Sequence, residues 1–199
     1  KSRLDSNESA VKYVVNGGIA TAVTLFGFSY LYGLTGTTNM AEMGGIMAQM
    51  LDGQYQYLLG IAFFMVFVGL SFKIAAAPFH MWAPDVYQGA PPSVGAFLSV
   101  IGKTAGFVLI LRIIVMLYEG APGDTYGALS FMEKNSGYIA FIAAVTMIAG
   151  NLIALMQKDI KRLLACSSIA HAGYLLVSLT THDYFTASTV WFYLTAYLF

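Results

Sequence analysis

Charge is scarce in this chain. Only 10% of its 199 residues are charged, against about 25% in an ordinary soluble domain, so a fully water-solvated surface is excluded. Lys+Arg and Asp+Glu cancel at 10 each, and no basic excess points to a nucleic-acid partner. Cysteine is nearly absent. The single Cys166 excludes an internal disulfide framework and a four-cysteine metal site. It lies in an apolar run, where it reads as a small buried residue. No phosphate-binding glycine loop or nucleophilic triad is present. His80, His171 and Cys166 are scattered, so no metal site is expected. The short strands of alternating polarity that a membrane barrel needs are also missing.

What the chain has instead is apolar length. Hydrophobic residues make up 58% of it, gathered into blocks of the ~20 residues that span a bilayer core of ~30 Å as a helix. Lipid offers backbone groups no partner, so closed helices are the expected answer. We expect an all-α polytopic membrane protein with about six transmembrane segments. They cover roughly Val11 to Leu34, Tyr55 to Tyr87, Ser93 to Tyr118, Gly137 to Met156, Ile160 to Thr180, and from Tyr184 onward. Ser6 or Asn7 could cap the first. A Gly-, Met-, Thr- and Asn-rich loop through Gln54 follows it, and a polar loop with Glu119, Asp124, Glu133 and Lys134 precedes the fourth. The start at Lys1 and the end in an aromatic run at Phe199 suggest a fragment of a longer protein.

The second segment is too long for one upright span at 1.5 Å per residue, and it contains Pro78 and Pro84. Each proline removes a helix hydrogen bond. Pro78 follows three alanines and comes five residues after Lys73. Either the helix is broken there, as at transport sites, or it is only kinked.

Basic residues set an orientation. Lys1, Arg3 and Lys12 precede the first segment, and Lys158, Lys161 and Arg162 surround the turn before the fifth. With alternating crossings these places share a side, which should be cytoplasmic. Asp85, after Pro84, should cap or close the turn at that inner surface. Glu42, Asp52, Glu119, Asp124, Glu133 and Asp183 fall in loops on the other side.

Three ionisable residues stand out by depth. Lys73 lies beside the break, Lys103 is ten residues into the third segment, and His171 is eleven residues into the fifth. Both of the latter lie ~15 Å deep. Ionisable groups at that depth are costly when charged and unpaired, and they mark ion routes. Snorkelling or a carbonyl hydrogen bond is the other reading. A lysine held between burial, which disfavours its charge, and neighbouring charges or water can load and unload a proton. Two such lysines repel each other, so protonating one favours release from the other. His171 suits a relay through its two ring nitrogens. Ser167 and Ser168, three and four residues earlier, share its helical face and could order water. A core histidine bonded to a carbonyl is its alternative role. Arg112 reads as a snorkelling residue, and Lys161 and Arg162 as anchors with a possible lateral proton inlet beside them.

The stretch Phe72-Lys73-Ile74-Ala75-Ala76-Ala77-Pro78-Phe79-His80-Met81-Trp82-Ala83-Pro84-Asp85-Val86-Tyr87-Gln88-Gly89-Ala90-Pro91 closely resembles the subunit N family of respiratory complex I, the proton-pumping NADH–quinone oxidoreductase. Gly102-Lys103-Thr104-Ala105, Asn151 to Leu164, and Ser167-Ser168-Ile169-Ala170-His171-Ala172-Gly173-Tyr174 resemble its following blocks. The resemblance covers nearly the whole chain. It implies an antiporter-like inverted-repeat bundle of about fourteen helices. The helices at about 6–118 would belong to one unit and those at about 137–199 to the next, as a single membrane-domain fragment. It also implies a proton relay through Lys73 on the broken helix, with Pro78 at the break, then Lys103 and the central-axis His171. The family's glutamate partner for the first lysine, and a charged residue on a later broken helix, have no counterpart here. The implied setting is a multi-pass protein of a bacterial-type inner membrane. No cofactor is expected in the chain, with NADH, flavin, iron–sulfur clusters and quinone in partner subunits. The expected partners are other membrane subunits, the lipid bilayer, protons and channel water. A cation/proton antiporter subunit or a hydrogenase membrane subunit is the rival within transport. A structural membrane scaffold is the rival of another class.

Overall fold

A long proline-free apolar block with a glycine behind it dictates the first helix. In the computed structural model, which describes residues 3–50, 54–114, 125–181 and 186–198, α1 runs over Arg3–Thr35. It ends where Gly36 takes φ 71° and donates its N–H to the Tyr32 carbonyl at 2.7 Å. A left-handed residue closing the last turn is where glycine costs least. The helix is already formed at Ser6 and Asn7, so neither is its cap.

The predicted loop after α1 contains a helix. α2 spans Met40–Met50. Asn39 Oδ1 accepts the Ala41 N–H at 3.2 Å, and Glu42 accepts from the Asn39 side-chain amide at 3.1 Å and the Thr37 hydroxyl at 2.8 Å. Asn followed three residues later by Glu is a helix-start signal. Met43 and Met47 are buried with Leu31 and Leu59, which anchors this short helix.

The second predicted segment is two helices, α3 over Gln56–Ile74 and α4 over Trp82–Gly89. The third is continuous in direction but changes pitch. α5 (Pro92–Phe97) passes through a π-helical turn, Leu98–Gly102, into α6 (Lys103–Ile114). α7 covers Thr125–Leu155. The polar stretch around Glu133 and Lys134, predicted as loop, is therefore helical, while Glu119 and Asp124 lie outside the described residues. α8 covers Ile160–Ser178 and α9 covers Thr186–Leu198. Asp159 caps α8 by accepting the Lys161 and Arg162 N–H groups.

Four helical stretches are long and apolar enough to cross a membrane among the described residues: Ser6–Thr35, Gln56–Ile74, Pro92–Ile114 and Asn135–Leu155. α1 packs along α3, α7 packs along α8, and α4 lies against both α1 and α8. The closest approaches use glycine. A Cβ on Gly69 would stand 1.5 Å from Thr24 Oγ1, and one on Gly150 would stand 2.7 Å from the Ala170 nitrogen. Between helices in lipid, dispersion contact supplies the attraction, and missing side chains let backbones approach. One core gathers Phe63, Val66, Phe107, Ile110, Ile139 and Leu176. A second, around Phe72, Trp82, Tyr87, Ala165 and Ile169, surrounds the helix break.

Candidate functional site

The break begins three residues before its proline. Ala75 takes a left-handed conformation at φ 57° and closes α3, donating its N–H to the Phe72 carbonyl at 3.1 Å, while Ala76 donates to the Ser71 carbonyl at 2.9 Å. Pro78 follows a cis peptide from Ala77. The predicted break at Pro78 is thus a true interruption and not a kink. Pro84 breaks nothing. It sits in the first turn of α4, where its missing N–H would have had no helical partner.

Non-helical backbone at membrane depth must find partners within the protein, and it does. The Ala77 N–H donates to Thr146 Oγ1 on α7 at 2.9 Å, and Thr146 is fully buried. The Trp82 indole N–H donates to the Phe72 carbonyl at 3.1 Å. Trp82 packs on Phe72 and edge-on to Tyr13. The break is therefore held by α1, α3 and α7 together.

The two predicted lysines differ in setting. Lys103 is only 4% exposed. It follows directly on the π-turn, a local widening that recurs at functional positions. Its ammonium donates to the backbone carbonyl of Ser168 on α8. Among the described residues its charge has no carboxylate within ion-pair distance. Lys73, predicted to be buried, has its side chain exposed in this chain. It occupies the last turn of α3. Its Cβ comes within 3.5 Å of where a Cβ on Gly106 would stand, so its stem faces α6 one turn beyond Lys103. The physical reason is packing: α1 and α6 cover other faces of α3, and no described helix covers the face that carries the ammonium.

His171 is half-buried and belongs with Lys103. It lies within electrostatic reach of that lysine. Its Nδ1 shares a hydrogen bond of 2.5 Å with the Tyr193 hydroxyl, and its ring packs against Tyr174, Tyr193 and Tyr197. The bond at Nδ1 thus goes to a hydroxyl and not to a carbonyl.

Hydroxyls cluster beside these groups. Tyr197 OH donates to Ser168 Oγ at 3.0 Å, Ser99 Oγ lies 3.1 Å from Tyr197 OH, and the two serine hydroxyls are 3.4 Å apart. The sequence reading placed Ser168 on the His171 face but missed Ser99, Tyr193, Tyr197 and Thr146. Ser99 stands one turn before Lys103, and Tyr193 and Tyr197 are four apart on one helix. That spacing was the available signal.

Charge collects at one rim. Asp85 accepts from Lys12 at 2.7 Å and from Arg162 at 3.0 Å. Arg162 also donates to Gln88 at 2.8 Å and to Gln157 at 3.1 Å, and Gln88 donates to Asp159 at 3.2 Å. Lys12 and Arg162, expected on the same side of the membrane, meet on one carboxylate. Asp85 is thus an ion-pair hub within α4 and not a turn closure, and Arg162 is more than an interfacial anchor. Arg112 is exposed, as a snorkelling residue would be. No group of three or more His, Cys, Asp or Glu side chains converges to hold a metal among the described residues.

The geometry has relatives. A profile of the NADH:quinone oxidoreductase/Mrp antiporter transmembrane family matches residues 1–199. A Geobacillus protein named NADH-quinone oxidoreductase subunit N is 55% identical over the whole chain, which covers 40% of that protein. In the structure of respiratory complex I from Thermus thermophilus with bound Aureothin, one chain superposes with a TM-score of 0.77 at 37% identity, over 98% of this chain and 38% of that one. A chain of the archaeal membrane-bound sulfane sulfur reductase, a respiratory membrane complex, superposes with a TM-score of 0.81 at 27% identity, over 100% of this chain and 38% of that one. The chain thus spans about 40% of the length of the curated relatives it matches. Apolar spanning helices, a broken helix tied down by its neighbours and a whole-length family match leave one conclusion: this chain belongs to the NADH:quinone oxidoreductase/Mrp antiporter family of integral, multi-pass membrane proteins.

Proposed function

We propose that this chain is the central part of a proton-translocating membrane subunit of NADH–quinone oxidoreductase, in a bacterial-type inner membrane. The observation that carries the reading is Lys103: a buried amine after a π-turn, bonded to a single carbonyl, set among hydroxyls and beside an imidazole. A neutral lysine accepts a proton on its lone pair, and its ammonium returns one. His171 can continue the path because one ring nitrogen can take a proton while the other gives one up. Lys73 stands on the exposed face of α3, where a carboxylate outside this chain can pair with it. The energy then arrives as a change in charge along the lysine row, because protonating one site disfavours charge on the next. Residues 6–118 would form one inverted unit, and residues 137–199 would begin the second.

Redox chemistry is assigned to other subunits, which would carry NADH, flavin, iron–sulfur clusters and quinone. This chain would contribute only the proton path. Its partners would be neighbouring membrane subunits, lipid and channel water.

The test is Lys103→Ala and Lys73→Ala in the full-length subunit within its assembled complex. Each should lower proton pumping in membrane vesicles by on the order of tenfold or more, with assembly retained. Normal pumping in Lys103→Ala complexes would sink the proposal.

A further inference from the structure

Glycines join α7 and α8 into one piece. A Cβ on Gly150 would stand 2.7 Å from the Ala170 nitrogen. One on Gly173 would stand 3.0 Å from both the Ala143 carbonyl oxygen and the Met147 nitrogen. Backbones that close interlock, and neither helix slides along the other without overlap. Thr146 lies on α7 between these two glycine contacts. Its hydroxyl accepts the Ala77 N–H at 2.9 Å. On α8, the Ser168 carbonyl receives the Lys103 ammonium. The same pair of helices therefore holds Lys103 itself and the backbone four residues after Lys73.

The end of α3 sits between two walls. One is α6, where a Cβ on Gly106 would stand 2.8 Å from Ile74 Cγ2 and 3.5 Å from Lys73 Cβ. Gly106 is three residues beyond Lys103, so the Lys73 stem is seated about one helical turn from it. The other wall is α7. The Ala75 and Ala76 N–H groups still bond within α3, and the Ala77 N–H is the first to leave it, for Thr146. Thr146 is fully buried, so no solvent stands ready to replace its hydroxyl as the acceptor. That hydroxyl is also spent as a donor, on the Ile142 carbonyl at 2.6 Å. It holds backbone on both sides and has no proton to pass on.

We propose that Thr146 is a positioning residue for proton translocation: its hydroxyl seats the end of α3 against the α7–α8 pair, so that this pair sets the separation of Lys73 from Lys103. The inference rests on the proton-translocating reading of the two lysines. Their coupling depends on their separation, and a displacement of about 1 Å introduced away from the reacting groups can cost a large factor in rate. Thr146 touches neither lysine and acts only through the backbone after Lys73. In the two-unit division proposed above, α7 and α8 open the second unit while both lysines belong to the first. The lysine geometry of one unit is then fixed by the leading helices of the next.

The experiment measures protons pumped per NADH oxidised by the assembled complex in membrane vesicles. Thr146→Val keeps the side-chain shape and removes the hydroxyl. It should lower pumping on the order of fivefold, the effect of one net hydrogen bond. Thr146→Ser, which keeps the hydroxyl and loses the methyl, should pump near the parent level. The Thr146→Val change is then repeated in a Lys73→Arg background. A folding defect would cost the same factor in both backgrounds. A residue acting through Lys73 should cost less than about twofold where the cation is already displaced. Gly106→Ala pushes on the end of α3 from the other wall without removing a hydrogen bond, and it should also lower pumping. Gly60→Ala, on α3 with nothing within 4 Å of its new methyl, should not. Gly106→Ala carries the test if Thr146→Val complexes fail to assemble. Parent-like pumping in the variant that carries the test overturns the inference, and so does an equal factor in the two backgrounds. Pumping lost in Lys73→Ala and Lys103→Ala would then leave the lysine reading standing. Normal pumping in both lysine variants overturns that reading and the inference with it.

Discussion

Thr146→Val replaces one methyl-bearing branched side chain with another of nearly the same shape and removes only the hydroxyl. That hydroxyl accepts the Ala77 N–H at 2.9 Å and donates to the Ile142 carbonyl at 2.6 Å, at a position with no solvent exposure. The Ile142 carbonyl lies within α7 and loses only a secondary donor. The Ala77 N–H sits in the break and loses its partner outright. An unsatisfied buried backbone donor costs about 1–3 kcal/mol. That corresponds to roughly 5- to 150-fold in the equilibrium for opening the break. The assay is hydrogen–deuterium exchange of peptides covering 75–81 in the assembled complex, read by mass spectrometry. Exchange there should accelerate by that factor in Thr146→Val, while Thr146→Ser, which keeps the hydroxyl, stays near the parent. α8 peptides serve as an internal reference. Parent-like exchange across the break in Thr146→Val would refute the reasoning, because it would mean that α7 does not hold the interrupted backbone.

Gly69→Ala should lower the thermal midpoint of the solubilised complex, by about 1–3 kcal/mol of overpacking, because the new methyl would stand 1.5 Å from Thr24 Oγ1. Gly60→Ala on the same helix meets nothing within 4 Å and gains helix propensity, so it should not lower the midpoint in the same melt. Asp85→Asn removes the carboxylate shared by Lys12 and Arg162; the dependence of thermal stability on salt should weaken, since surface ion pairs are the screened part of the ledger, and a melt series from low to high salt checks it. Trp82→Phe keeps an aromatic ring but deletes the donor to the Phe72 carbonyl, which should cost about 0.5–1.5 kcal/mol and accelerate amide exchange in α4 more than in α7.

The broken helix was legible because its signals are local: excess length, three alanines and a proline. Lys103 and His171 were legible because an ionisable residue deep in an apolar block is conspicuous wherever it packs. α2 escaped although Asn39 and Glu42 spell its start, since a Gly- and Met-rich stretch reads as loop until burial of Met43 and Met47 is known. The exposure of Lys73 could not be read, because a spanning helix that is apolar all round does not declare which face its neighbours cover. Tyr193 and Tyr197 were hidden for a related reason. In an aromatic run a tyrosine looks like packing material, and only its partner, 22 residues away at His171 or 29 away at Ser168, reveals its hydroxyl as a hydrogen-bonding member of the site. The Asp85 hub is the extreme case, with Lys12 lying 73 residues from it in the chain.

That hub has a mechanical consequence. By tying α1 and α8 to α4 at one rim, it leaves the helices joined like the ribs of a fan at its pin. Rearrangement between them is then angular, and displacement grows with distance from the pin. Ser168 lies six residues beyond Arg162 on α8, roughly 9 Å from the hub along the helix. A tilt of about 6° would shift a group at that distance by roughly 1 Å. The Tyr197 to Ser168 bond measures 3.0 Å, and a shift of ~1 Å takes it beyond hydrogen-bonding range. A rotation too small to disturb the pinned end is thus large enough to open or close the hydroxyl chain at the other.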